Sequence, residues 1–162
     1  MTQEELVALL DQAKHKQVSI GYNKITLVNR DNFNKSQIDY RVDLVGNNLT
    51  GEDYGRWRNE WYVIAFHSAY IYPIFIDTDS HRIYHASMGR MGEWEPGKIA
   101  ENPEEFFSIL ETIHSLSVNR HTPQSLKENP LSDSEVENFQ KFIESLSSYN
   151  DKGFWFSFIN KS

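Results

Sequence analysis

Asp77 and Asp79 lie two residues apart, and His81 and His85 four apart, so this short stretch holds the side chains most readily drawn into chemistry. Two aspartates on one side of a hairpin could grip a metal ion. A hard-cation loop needs several further oxygen ligands at fixed spacing, and Asp79-Ser80-His81 lacks the glycine of a calcium loop. Turn-forming aspartates are the better reading. His81 and His85 would converge on a helix, but they fall in a turn and a strand, where residues four apart stand ~13 Å from each other. His67, His114 and His121 have no cysteine or carboxylate frame beside them in the sequence, so no metal site is expected. The chain has no nucleophile elbow, glycine-rich phosphate loop or His-Glu-x-x-His element. Zero cysteines exclude disulfides, thiolate zinc sites and cysteine nucleophiles together. No catalytic residue and no cofactor is assigned. A small hydrolase using two sequence-distant carboxylates remains a third reading, since acid–base pairs need no sequence proximity.

The remaining candidates are residues for binding. Glu93-Trp94-Glu95 sets an aromatic ring between two carboxylates, an anchor and steering element suited to a basic partner. The alternative is that Trp94 plugs a sheet edge while its neighbours face water. Glu52, Asp53, Tyr54 and Trp57 pose the same choice, and their position in a charged loop between Gly51 and Asn59 tilts them towards contact.

The elements around these residues follow from periodicity and capping. Thr2 with Glu5 is a capping-box pattern opening an amphipathic helix to about His15, with Leu6, Leu9, Leu10 and Ala13 on one face. Val18 to Tyr22 and Lys24 to Val28 have strand composition. Asp31 to Ser36 reads as a polar connection, and Tyr40 to Val45 as an alternating strand with Val42 and Leu44 opposed to Arg41 and Asp43. Trp61 to Phe66 is an unbroken apolar run, suited to a strand covered on both faces. After a turn at Ser68-Ala69-Tyr70, Tyr72 to Asp77 and Arg82 to Ala86 form a hairpin, with Pro73 restricted to a strand start or edge. Ser87 to Gly97 holds three glycines and a proline in eleven residues, which predicts a loop. Asn102 then caps a helix with Pro103 at its first position and Phe106, Ile109, Leu110 and Ile113 on its apolar face. Val118 to Pro130 is polar. Ser132 with Glu135 opens a last amphipathic helix through Val136, Phe139, Ile143 and Leu146, stopped at Asn150 to Gly153. The terminal run from Phe154 to Ile159 is too apolar to stay undocked.

At 162 residues, with 39% hydrophobic and 14% aromatic content, the chain is expected to form one domain over residues 1–162. A formal charge of −7 argues against nucleic-acid binding and favours a basic protein partner. No segment reaches the ~20 apolar residues of a membrane span, and the start has no signal-peptide core. A cytoplasmic location is expected.

The order of parts resembles the SUKH superfamily, also known through the Smi/Knr cell-wall regulators. The resemblance rests on Tyr72-Pro73-Ile74-Phe75-Ile76-Asp77, Ile83-Tyr84-His85-Ala86, Gly92-Glu93-Trp94-Glu95-Pro96, Ile99-Ala100 and Glu104-Glu105-Phe106-Phe107. It covers the middle third of the chain well and the C-terminal quarter loosely. The leucine-proline and asparagine-glycine motifs that many members carry near the N-terminus have no counterpart here. The fold implied is α+β, a mostly antiparallel sheet of about five or six strands with helices packed on it. Trp94 belongs to the family pattern, which favours its packing role. Many bacterial members resemble or are known as immunity proteins that bind and block a cognate toxin, often a nuclease of a polymorphic toxin system. The function implied is a non-catalytic binding protein of that kind, or a Smi/Knr-type regulatory scaffold.

Overall fold

The computed structural model describes residues 1–68 and 72–160; the expected turn at Ala69-Tyr70 lies outside them. The fold is α+β. Six antiparallel strands, β1 (Gln17–Ile20), β2 (Asn23–Leu27), β3 (Trp61–His67), β4 (Tyr72–Asp77), β5 (Ile83–Met88) and β6 (Trp94–Ala100), form a sheet in the order β1-β2-β3-β4-β5-β6. Each strand pairs with its neighbours in sequence, as expected of a meander of hairpins. Asp77 closes the β4–β5 turn as its composition predicts, its carboxylate accepting from the backbone of Asp79 (2.9 Å) and Ser80 (3.0 Å). Pro73 is the second residue of β4, where the missing N–H does least harm.

The helices are α1 (Gln3–Asp11), α2 (Phe33–Ser36), α3 (Pro103–Ser117), α4 (Pro123–Glu128), α5 (Asp133–Ser145) and α6 (Lys152–Asn160). The capping boxes at Thr2/Glu5 and Ser132/Glu135 are both formed, and Asn102 caps α3 with Pro103 at its first position. Two short helices replace segments read as polar connections. Phe33 is buried and draws α2 onto the sheet, while Thr122 and Pro123 open α4 and Leu126 seals it. The terminal aromatic run is helical, burying Trp155, Phe158 and Ile159. Trp155 fixes α6 by donating its indole N–H to the Ile99 carbonyl (2.8 Å).

Alternation separates the two faces of the sheet. Ile74, Ile76, Ile83 and His85 point to the side on which α6 lies, with Phe154 stacked on His85. Asp151 bonds His85 Nε2 at 2.8 Å, and the two side chains meet over Gly97, where a Cβ would stand 2.5 Å from that nitrogen. Phe75 and Tyr84 point to the opposite side.

Three expectations are corrected here. Residues 40–45 are not a strand: the segment makes only isolated bridges, and Leu44 and Val45 are each 83% exposed. Six residues of alternation are too few to distinguish a strand from a tight turn, and Asp43 settles it as a turn, as described below. The predicted loop from Ser87 to Gly97 is instead the tip of the β5–β6 hairpin, with only Gly89 to Glu93 left outside the strands. Pro96 and Gly97 fit within β6 because it is an edge strand, where one ladder is absent. The third concerns Trp57 and belongs with the site.

The N-terminal half of β3 pairs with β4 on one side but has no strand on its β2 side. Gln37 takes that place: its Oε1 accepts from Val63 N–H (2.9 Å) and its Nε2 donates to the Val63 carbonyl (2.9 Å) and the Phe33 carbonyl (3.1 Å). The side-chain amide mimics a strand residue in a setting where Gln37 is 6% exposed. Gln37→Leu should therefore lower stability by about 2–4 kcal/mol, since both Val63 groups lose their partner without access to water. Urea denaturation measures this directly, and a variant within about 0.5 kcal/mol of the parent would mean that water satisfies this edge.

Candidate partner-binding site

The segment 37–60 lies over the helix-free face of the sheet, attached by an aromatic cluster. Trp57 is at its centre, 1% exposed, with ring centroids 5.0 Å from Tyr40, 5.6 Å from Trp61, 4.9 Å from Phe75 and 5.3 Å from Trp94. Its indole N–H donates to the Trp61 carbonyl at 3.0 Å. Trp57 is thus a core residue rather than a contact residue, which corrects the expectation from its loop position. Burial holds the Tyr40 hydroxyl above its usual pKa. Arg41 reinforces the attachment from the side, with its guanidinium 3.7 Å from the centre of the Tyr62 ring and its Nη1 bonded to the Trp61 carbonyl (2.9 Å).

Trp94 is half-buried against this cluster, 5.4 Å from Tyr40 as well as against Trp57. The same residue joins the two candidate segments, because its backbone N–H donates to the Gly55 carbonyl at 2.8 Å. Gly55 has φ +79, and a Cβ there would overlap Glu93, so glycine is required on both counts. Sequence-distant Glu52, Asp53 and Tyr54 are in this way brought beside Glu93, Trp94 and Glu95.

The resulting rim is less acidic than its carboxylates imply. Glu52 pairs with Arg58 (2.7 Å), Asp53 approaches Arg56 (3.8 Å), and Glu93 folds back to accept from Met91 N–H (2.9 Å). Glu95 is exposed. What the rim presents instead is apolar: Tyr54 is 89% exposed, Met91 94% and Met88 57%.

Leu44 and Val45 extend the same segment as a rigid tip that sequence reasoning missed. Asp43 Oδ1 accepts from the backbone of Val45 (3.0 Å) and Asn47 (2.8 Å), and its Oδ2 accepts from Asn47 Nδ2 (2.8 Å). These bonds, the Asn47 side chain foremost, hold the Asp43 carboxyl below the usual carboxylate range. Gly46 supplies the left-handed φ of +89 the turn needs. The signal was present in the order Asp43, Gly46, Asn47, a turn signature inside an apparent strand.

A cavity of about 750 Å³ lies elsewhere, between the β1–β2 turn and helices α4, α5 and α6. Leu126, Leu131, Val136 and Ile159 supply its apolar lining, with Tyr22 and Lys127 at hand. Among the described residues no group of three or more histidine or carboxylate side chains is arranged to hold a metal ion, and no helix is long and apolar enough to cross a membrane. Comparison with protein-family models, curated proteins and solved structures returned no match.

Proposed function

We propose that this chain is a non-catalytic protein-binding domain, an immunity protein that binds a cognate toxin and blocks it by occlusion. The contact surface is the one built by residues 43–57 and 88–95. One observation carries this reading: of the nine large hydrophobic side chains standing exposed among the described residues, five (Leu44, Val45, Tyr54, Met88 and Met91) fall in these two segments. Exposed apolar chains concentrated on a rigid support are what a protein interface requires. Support for the toxin as partner comes from the SUKH resemblance, and support for a basic one, such as a nuclease, from the net charge of −7.

The experiment is a pull-down from the source cell with tagged protein, at low and moderate salt, beside a Tyr54→Ala/Met91→Ala variant. Both side chains are exposed, so the variant should melt with the parent. The expected result is one basic polypeptide, inhibited by the parent protein and retained at least tenfold less by the variant, which corresponds to about 1.4 kcal/mol of lost contact. Equal retention by both proteins would remove this surface from consideration. Recovery of several unrelated cellular proteins would favour a Smi/Knr-type scaffold instead.

A further inference from the structure

The linker between α1 and β1 is fastened at three points. Lys16 Nζ donates to the last carbonyls of α1, Leu10 (2.8 Å) and Asp11 (2.7 Å). Lys14 Nζ reaches Glu111 Oε1 on α3 at 3.0 Å, and His15 Nε2 lies 2.5 Å from Glu111 Oε2. The His15 ring, only 14% exposed, also stacks on His114 of α3, with centroids 3.8 Å apart and planes 17° from parallel.

We propose that the stacked His15–His114 pair is an acid-operated clasp between the α1–β1 linker and α3, closed near neutral pH and opening as the solution is acidified. One positive charge at the stack can be balanced by Glu111, with the other ring lying flat and neutral against it. A second proton makes two imidazolium rings face to face at 3.8 Å, a like-charge contact. Facing His114 are His15 and Lys14 from the linker, Glu111 from its own helix and His121 from beyond it, so three groups that are or can become cationic stand against one carboxylate. Burial first, and His15 next, hold the His114 ring below its ordinary pKa. The folded chain therefore binds fewer protons here than the unfolded chain. The stabilisation is complete above about pH 6.5 and is lost as pH falls from there towards the lower folded value.

The chain holds four further histidines, His67, His81, His85 and His121, so a global melting curve would not isolate this pair. The test is hydrogen exchange on the full chain at about pH 7.5 and about pH 5.5, where carboxylates stay largely ionised. After correction for intrinsic rates, peptides covering residues 10–18 should lose severalfold more protection than peptides from α5. His114→Phe keeps a flat ring for the stack but cannot take the proton, and it should abolish that difference. An equal loss at both places in the parent, or an undiminished loss in His114→Phe, would overturn the proposal. Should His114→Phe fail to fold, the ring titrations of the parent followed by NMR decide. A His114 midpoint below 6.5 that coincides with the loss of protection at 10–18 supports the clasp, and a midpoint at or above 6.5 rejects it.

Discussion

Trp57→Ala is expected to lower stability by about 3–5 kcal/mol, in the range of other buried tryptophan truncations. For a chain of this length each kilocalorie is worth roughly 2–4 °C, so the melting temperature should fall by about 6–20 °C. Three losses combine. The ring fills the space among Tyr40, Trp61, Phe75 and Trp94, and those neighbours cannot all collapse into the gap because three of them are fixed in strands. The Trp61 carbonyl loses the indole donor, although Arg41 still reaches it. The segment 37–60 also loses its main attachment to the sheet, so near-UV circular dichroism should weaken out of proportion to the far-UV signal. Trp94→Ala provides the comparison. Its ring is partly exposed, so a smaller cost than that of Trp57→Ala is expected on transfer grounds. A Trp94→Ala variant that loses as much as Trp57→Ala would show that the centre of the cluster has been misplaced.

Arg120→Ala should be the second large effect, at about 3 kcal/mol. Arg120 is 9% exposed and lies where α3, α4 and α5 meet. Its guanidinium holds Glu135 with two bonds (3.0 and 3.1 Å) and also donates to the carbonyls of Leu116 (3.0 Å), Asn129 (2.8 Å) and Pro130 (3.4 Å). Breaking a buried ion pair from one side costs about 3–5 kcal/mol, and the lower end applies because Glu135, at 35% side-chain exposure, can rehydrate. Arg120→Lys keeps the charge but not the planar fork, so it should recover only part of the loss. Glu135 adds a pH dependence. The Ser132 backbone N–H, and after it Arg120, hold its carboxyl below the usual range. That stabilisation is present above the unfolded carboxyl pKa and is lost as pH falls through the lower folded value. Arg120→Ala should flatten the acid limb of the stability curve between about pH 5 and 3, and an unchanged slope would place the acid sensitivity in other carboxylates.

Local features of the fold were legible in the sequence because their causes are local. Thr2 with Glu5, Asn102 with Pro103, and Ser132 with Glu135 each fix a helix start within four residues. The β4–β5 hairpin follows from Asp77 and its neighbours in the same way. Features decided at a distance were not legible. Nothing around Trp57 says that Tyr40, Phe75 and Trp94 will close over it, so its loop position pointed the wrong way. Pro96 and Gly97 read as breakers because the sequence does not reveal that β6 is an edge, or that His85 and Asp151 need the space above Gly97. The terminal run from Phe154 has no helical period of its own; Asp151, read as part of the stop of the preceding helix, caps it by accepting from the Phe154 N–H (3.3 Å), and Trp155 docks it. Of the candidate site, the residues in both loops could be picked out by composition, but their meeting depends on one backbone bond between Gly55 and Trp94.

The clustering of Trp57, Trp61 and Trp94 gives the molecule an optical reporter that needs no label. Of the four indoles, Trp61 and Trp94 lie with ring centres 5.6 and 5.3 Å from Trp57, next to the Tyr54–Met91 rim, while Trp155 stands apart on α6. Excitation absorbed anywhere in the trio will migrate among its rings, and Trp94, the partly exposed member beside Trp57, is the one a docking partner would strip of water. Occupancy of that rim should therefore shift the intrinsic emission to shorter wavelength without unfolding, and substitution of Trp155 should leave the shift intact.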